Sequence, residues 1–449
     1  PIYWVAWLSI ACVALNSIQS WGKDLRVYLE WPSVRMFFLG FSAGLPLLLV
    51  LGTLGFWLRE AGIDRSTIGY LSWVALFYAG KWLWAPLVDR VPILFLTKRL
   101  GRRRSWLLVA QAIIIFGLIG MATTDPKQNL EPIVWFALLV AFGSATQDIA
   151  LDAFRIESAK AQYQAALAAS YQTGYRLAMI WAGAGALWLA ARAETTTGIY
   201  LAEAWQFSYL CMALSISVGV VTTLLSPEPQ AVLLPKARSA GQWLQQTLIE
   251  PFADFISRYR WQAFLILGLI AIYRISDVVM GIMANPFYVD MGYTKDEVAA
   301  VTKVFGVIMT LVGAFLGGLL TMRFGVMRVL LLGGILSAAS NLLFAWLSTR
   351  GHDLNGLVWV ISADNLSSGI ASAAFIAYLS SLTNVQYSAT QYALFSSMML
   401  LLPKWLAGFS GVYVDTFGYE HFFIATALIG IPVLILIMLA IRIEKTNSS

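Results

Sequence analysis

The chain has 449 residues, 59% of them apolar and 12% charged, where a soluble domain averages about 45–50% apolar and about 25% charged. That balance excludes a soluble globular protein, and the long unbroken apolar runs point to membrane-spanning helices rather than the alternating strands of a barrel. The net charge of +6 informs by its placement more than by its sum.

Taken in order, Ile2–Ile18 is an apolar run at the short end of spanning length, so residues 1–32 read as an apolar segment with a polar linker and a possible extra transmembrane helix. Pro1 in place of a Met suggests that the natural start lies upstream. From there we expect twelve spans in two six-helix lobes. The first lobe, 33–226, has spans near 34–58, 66–88, 105–124, 132–156, 163–191 and 204–226. The second, 261–443, has spans near 261–289, 296–322, 329–348, 356–383, 389–414 and 420–442, followed by a tail, 444–449.

Between the lobes, 227–260 opens with Pro227-Glu228-Pro229 and carries an amphipathic helix with Trp243, Leu244, Leu248, Phe252 and Phe255 on its apolar face. Such a helix is expected to lie along the membrane surface rather than to cross it. The loop after span 2 holds Arg90, Lys98, Arg99, Arg102, Arg103 and Arg104, and the central connection holds Lys236, Arg238, Arg258 and Arg260. The connections 125–131, 193–203 and 349–355 on the other side carry at most one basic residue each. The basic side is therefore expected to be cytoplasmic. Cys12 and Cys211 lie far apart in apolar runs, and His352 and His421 adjoin loops, so no disulfide framework or metal-ligand spacing emerges and no cofactor is expected.

Charged residues within the spans carry the functional signal. In Ser144–Glu157, Asp148, Asp152 and Arg155 stand at i, i+4 and i+7, one face of a helix. A charge near the centre of a membrane helix costs about 2.5–3.5 kcal/mol on insertion scales, so it faces a bundle interior or a wet cavity. Two carboxylates one turn apart repel, and one of them can hold a proton, which makes Asp148 and Asp152 candidates for proton coupling. The competing reading places Asp152, Arg155 and Glu157 in a structural charge cluster at the cytoplasmic helix end. Lys81 in span 2 can bind an anionic group or neutralise one of those acids. Arg176 in span 5 follows Gln172, Thr173 and Tyr175 on a polar patch, and Arg274 and Asp277 in span 7 are spaced to pair. Lys303, Asp364, Asn365, Gln391 and Lys404 complete the intramembrane polar set in the second lobe. With Gln147 and the aromatic residues Tyr78, Trp82, Trp84 and Tyr175, which flank the charges and suit the apolar face of a sugar ring, these residues are the candidate substrate wall. So many ionisable groups fit a water-filled central cavity.

The two halves echo each other at Ala85-Pro-Leu-Val-Asp89-Arg90 with Gly101-Arg102-Arg103-Arg104, and at Gly317-Gly318-Leu-Leu-Thr321-Met-Arg323-Phe-Gly325. Twelve spans, a central loop and this repeated connection resemble the major facilitator superfamily. Ala85 stands at the position of the motif's first Gly, Val91–Leu100 is an insertion, and Thr321 stands where the second half would carry Asp. Within that superfamily the chain resembles the anhydromuropeptide permease (AmpG) family of bacterial inner membranes. The resemblance rests on Gly40-Phe-Ser-Ala-Gly44-Leu-Pro46, Thr67-Ile-Gly-Tyr70, Lys81-Trp-Leu-Trp-Ala-Pro-Leu-Val-Asp89-Arg90, Leu100-Gly-Arg-Arg-Arg104-Ser-Trp106 and Ser144-Ala-Thr-Gln147-Asp148-Ile-Ala-Leu-Asp152-Ala153. It continues through Gly174-Tyr-Arg176-Leu-Ala-Met179, Tyr273-Arg-Ile-Ser-Asp277, Thr302-Lys303-Val-Phe-Gly306, Asn365-Leu-Ser-Ser-Gly369 and Ala389-Thr-Gln391-Tyr-Ala-Leu-Phe-Ser396.

The resemblance implies proton-driven import of N-acetylglucosaminyl-1,6-anhydro-N-acetylmuramic acid, with or without stem peptide, for peptidoglycan recycling and β-lactamase induction. Asp148 matches the family's membrane-embedded acid, whereas Arg274 stands where a lysine is common and Asp364 where the family can have Glu. Asp89, Arg90, Arg102 and Arg103 are the expected cytoplasmic gate. Lipid, solute and protons are the expected partners, nucleic acid is not, and a monomer is expected. Other readings are a permease for a different anion such as a siderophore or acetyl-coenzyme A, a membrane enzyme acting on lipid-linked precursors, and a sensor that binds without transport.

Overall fold

A computed structural model describes residues 26–63, 74, 78, 80–194, 200–230, 239–293, 297, 299–407 and 409–448. The apolar run 2–18, most of the second expected span, residues 231–238 and the Lys303 side chain fall outside that description. Nine helices among the described residues are long and apolar enough to cross a bilayer.

After a 3-10 turn at Val27–Leu29, α1 (Trp31–Val50) starts with Pro32 in its first turn and ends where Leu51 leaves helical geometry, so that α2 (Gly52–Glu60) completes the span. A second 3-10 turn, Lys81–Leu83, leads through Trp84 into α3 (Ala85–Arg90), and α4 (Leu96–Leu100) follows. Then come α5 (Arg102–Ala122), α6 (Glu131–Ser158), α7 (Gln164–Ile180), a π-helical turn at Trp181–Gly185, α8 (Ala186–Ala193) and α9 (Ala202–Leu225). The connection contributes α10 (Ala240–Leu244), a π turn and α11 (Glu250–Tyr259).

The second half starts with a broken span, α12 (Gln262–Ile272) and α13 (Ile275–Asp290), interrupted at Tyr273–Arg274. A π segment, Ala299–Phe305, precedes α14 (Gly306–Phe324), and α15 (Val326–Ser348), α16 (Leu354–Leu382) and α17 (Ser388–Ala407) follow. The last element, α18 (Ser410–Ser448), turns sharply at Gly418, whose φ of 79° divides it into the end of one span and the next.

Close helix contact in both halves relies on residues without side chains. A Cβ on Gly174 would strike the Phe37 carbonyl, and one on Gly369 would strike the Thr310 carbonyl, so α1 meets α7 and α14 meets α16 at backbone distance. One apolar core gathers Leu45, Trp57, Ile114, Val140 and Tyr209, and another gathers Leu269, Phe287, Phe344, Phe375 and Phe423. A smaller third core joins Met36, Leu107 and Phe154 to Ala389 and Ala393 of α17, and so lies between the halves. Tyr28 reaches across as well, its hydroxyl donating to the Phe315 carbonyl at 2.9 Å and its ring 4.3 Å from that of Phe315.

The amphipathic helix expected in the connection runs through α10, the π turn and α11, but part of its apolar face meets protein instead of lying free at a membrane surface. Phe255 is buried against Phe395, ring to ring at 5.1 Å.

Gly174→Val should force α1 and α7 apart and destabilise the protein by about 1–3 kcal/mol or more, read as a lower thermal-unfolding midpoint in detergent. Gly281→Ala, where an added Cβ meets nothing within 4 Å, should leave the midpoint unchanged.

Candidate functional site

Two polar assemblies lie along α17, one at its N-terminus and one further along it. The first is at the basic end, where Arg103, fully buried, sits between two carboxylates: Nη2 is 2.6 Å from Asp89 Oδ1 and 2.6 Å from Glu157 Oε1. Arg103 Nη1 donates to the Val88 carbonyl at 3.0 Å, and Nη2 also donates to Ser388 Oγ at 2.8 Å. The Asp89 carboxylate crosses to the second half, accepting the backbone N–H of Ala389 at 3.2 Å and of Thr390 at 2.8 Å, with the Thr390 hydroxyl at 2.7 Å. It thus caps the N-terminus of α17, where the helix dipole favours negative charge.

Three further groups brace this end. Arg102 donates to the Asp89 carbonyl, and Arg90 donates to the Gln246 carbonyl at 3.0 Å. Glu228 accepts the backbone N–H groups of Arg103 and Arg104 at 2.8 and 3.0 Å.

The second assembly lines a cavity of about 500 Å³ between the halves. Lys81 and Tyr78 come from the second span, Asp148 from α6, and Tyr171, Gln172, Tyr175 and Arg176 from α7, where i, i+4 spacing brings Tyr171 and Tyr175 to one face. Helix α17 supplies Ser396, Ser397, Met399, Leu400, Leu401 and Lys404. Asp148 is within electrostatic reach of Lys81 and Asp152, yet its Oδ1 has no hydrogen-bond partner among the described residues.

The other acids on this face differ. Asp152 is 3.4 Å from Arg155, which in turn donates to Gln164 Oε1 and to Ser380 Oγ across the halves, both at 2.9 Å, and lies over the Tyr392 ring. Glu157 belongs to the basic end. The shared face of Asp148, Asp152 and Arg155 therefore divides into a cavity acid and an ion pair within α6 whose arginine also reaches across to Ser380.

Other sequence candidates lie elsewhere. Trp84 donates to Thr146 Oγ1 at 3.1 Å and packs against Phe142, and neither Trp84 nor Trp82 is in the cavity wall. Gln147 is buried, outside that wall, with both amide atoms unpartnered among the described residues. Gln391, expected on the substrate wall, sits at the basic end instead. Its amide donates to the Pro251 carbonyl at 2.8 Å and to Asp254 at 2.9 Å, and its carbonyl accepts from Arg258 at 3.0 Å, so it ties the connection to α17.

Arg274 and Asp277 pair at 2.6 Å, as their spacing suggested. Asp277, Asp364 and Asn365 line a second cavity of about 220 Å³ within the second half, where Ser340 donates to Asp364 at 3.1 Å and Thr310 to Asn365 at 2.8 Å. Tyr171, Ser397, Ser388 and Thr390 were not singled out from sequence. Tyr171 precedes Tyr175 by one turn and Ser397 precedes Lys404 by two, a periodic signal that was available. Ser388 and Thr390 carry no local pattern that reveals partners 231 to 301 positions away.

The chain is similar to known proteins. The chain is 35% identical over 416 residues to the anhydromuropeptide permease of Escherichia coli K12, covering 92% of this chain and 80% of that protein. It is 33% identical over 414 residues to putative transporter AmpG 4 of Rickettsia conorii, covering 92% and 97%. A family model described as acetyl-coenzyme A transporter 1 matches residues 34–182. Among solved structures, the E. coli fucose:proton symporter FucP superposes with a TM-score of 0.65 at 15% identity, over 91% of this chain and 97% of that one, so the two chains share a fold.

Removing the Asp89 carboxylate should loosen the basic end. In a Cys12→Ser, Cys211→Ser background with spin labels at the exposed positions Lys160 and Arg328, Asp89→Ala should move the distance distribution to longer values. Breaking a buried pair costs about 3–5 kcal/mol, so most of the population should shift.

Proposed function

We propose that this chain, which belongs to the anhydromuropeptide permease (AmpG) family, imports N-acetylglucosaminyl-1,6-anhydro-N-acetylmuramic acid, with or without stem peptide, across the bacterial inner membrane together with protons. The observation that carries the reading is the cavity between the halves. An acid with an unpartnered oxygen, Asp148, shares its wall with three cationic side chains, Lys81, Arg176 and Lys404. The cations suit the lactyl or peptide carboxylates of the solute, and the tyrosines suit the apolar face of a sugar ring.

In the proposed cycle the basic end is the cytoplasmic face, by the distribution of Lys and Arg, and it is closed in this structure. Asp148 takes a proton from the opposite face. Its neutralisation frees the neighbouring Lys81 from its field, and the solute's own negative charge then takes the acid's place among the cations. A solute and proton that bind one conformation more tightly than the other shift the balance between them. Opening toward the cytoplasm requires Asp89 to leave the α17 N-terminus and Ser388 to leave Arg103 and Glu157, so these contacts are the gate. The halves then rock about the midplane site. Arg274, being paired with Asp277, and Asp152, being paired with Arg155, are left as organisers of each half rather than as direct anchors. A permease for another anionic solute is the second reading, supported by the acetyl-coenzyme A transporter model over the first spans.

Purified protein in liposomes should accumulate the labelled anhydro-disaccharide when an inward proton gradient is imposed, and a protonophore should abolish the accumulation. Asp148→Asn should lower gradient-driven accumulation to background while solute exchange without a gradient persists. Normal accumulation by that variant would remove Asp148 from the coupling step, and no gradient-dependent uptake by the unaltered protein would defeat the symport reading.

A further inference from the structure

A serine inside a membrane helix ordinarily returns its hydroxyl to a carbonyl one turn back. Ser158, Ser215, Ser226, Ser362, Ser367 and Ser380 all do so here, each to the carbonyl four residues earlier. Ser397 does not. The carbonyl four residues before it belongs to Ala393, and the neighbouring Ser396 hydroxyl already donates to that oxygen at 3.1 Å. Ser397 is 6% exposed and its Oγ has no hydrogen-bond partner among the described residues. Of the serines in that condition, Ser33, Ser42, Ser144 and Ser397, it alone lines the cavity between the halves.

A buried hydroxyl without a partner costs stability, so its persistence on a cavity wall marks a group waiting for a ligand atom. The helix around it supplies direction. Ser397, Leu400, Leu401 and Lys404 all line the cavity at i, i+3, i+4 and i+7, one face of α17. With a rise of about 1.5 Å per residue, the Cα atoms of Ser397 and Lys404 stand about 10 Å apart along the axis. The hydroxyl is nearer the closed basic end, where Ala389 and Thr390 meet Asp89, and the apolar leucines lie between. Tyr171 and Tyr175, their rings 5.9 Å apart, contribute to the same cavity from α7.

We propose that Ser397 is a specificity-determining residue that hydrogen-bonds an uncharged oxygen of the solute's glycan, a ring hydroxyl or acetamido group, with the glycan end pointing toward the basic gate and the carboxylate end toward Lys404. This rests on the substrate reading above and adds an orientation to it. The gate-side part of α17 thus reads the neutral part of the molecule, while Lys404 further along that helix and Lys81 and Arg176 of the first half supply charge.

The test compares the unaltered protein with Ser397→Ala and Ser397→Thr, using peptide-free N-acetylglucosaminyl-1,6-anhydro-N-acetylmuramic acid and its stem-peptide-bearing form. Binding to the detergent-purified protein and uptake into liposomes are both measured. Loss of one hydrogen bond to a neutral group should weaken binding and raise KM by about tenfold, equally for both solutes, with kcat within about twofold. Ser397→Thr, which keeps the hydroxyl, should restore affinity, and the thermal-unfolding midpoint of Ser397→Ala should match that of the unaltered protein. Unchanged affinity in Ser397→Ala overturns this assignment alone. A loss confined to the peptide-bearing solute also overturns it, by moving the contact to the stem. An unaltered protein that neither binds nor carries the disaccharide overturns both this assignment and the substrate reading.

Discussion

Desolvation governs this molecule. Hydrocarbon offers a charged side chain nothing to replace its hydration shell, so each ionisable group in a span must find a partner, a carbonyl or water. The structure uses each of these solutions in a different place. At the basic end, Arg103 is satisfied by Asp89, Glu157, Ser388 and the Val88 carbonyl, and no atom of its side chain reaches solvent. Arg155 is satisfied by Gln164, Ser380 and Asp152. Arg274 has Asp277. Asp148 is different, since one of its oxygens is unpartnered among the described residues and it stands on the wall of a cavity that also holds Lys81, Arg176 and Lys404. The distinction between a knotted charge and one left facing a cavity separates structure from proposed chemistry throughout the chain.

The two assemblies are mechanically linked by α17. Its first turn is held by Asp89 from the other half, while six residues after Thr390 its side chains enter the cavity wall at Ser396 and Ser397 and, further on, at Lys404. A helix is stiff over this length, so a change in what occupies the cavity bears on the same rod whose N-terminus closes the basic end. The connection between the halves docks on this region too, through Gln391 and Arg258. In the proposed cycle that rod is the element whose two positions the solute and the proton bias.

Much of the fold was legible because hydropathy alone dictates it. The nine helices long and apolar enough to span fall on nine of the twelve expected spans. The remaining three are instructive. The second span falls mostly outside the described residues. Those around α7 and α17 carry Gln172, Arg176, Gln391, Ser396, Ser397 and Lys404, which lower their apolar character. Both line the cavity, so the faintest spans were the ones nearest the site. The break at Tyr273–Arg274 and the π turns at Trp181–Gly185 and Ala299–Phe305 leave no mark in apolar periodicity, because they alter hydrogen-bond register and not composition.

Within the site, intramembrane charge singled out Lys81, Asp148, Arg176 and Lys404, which the structure gathers around one cavity. Residue type was a poorer guide to Gln391, Trp82 and Trp84, since an amide or an indole serves a packing or docking role at no penalty that sequence reveals. In the proposed cycle Asp148 looks into a hydrated chamber shared with the solute, and the accessibility of a thiol at that position shows whether it does. In a Cys12→Ser, Cys211→Ser background, Asp148→Cys should react with a charged, membrane-impermeant reagent applied from the face opposite the basic end, and the anhydro-disaccharide should slow that reaction. A cysteine there that ignores the charged reagent yet reacts with a lipid-soluble maleimide, unaffected by the disaccharide, would contradict it.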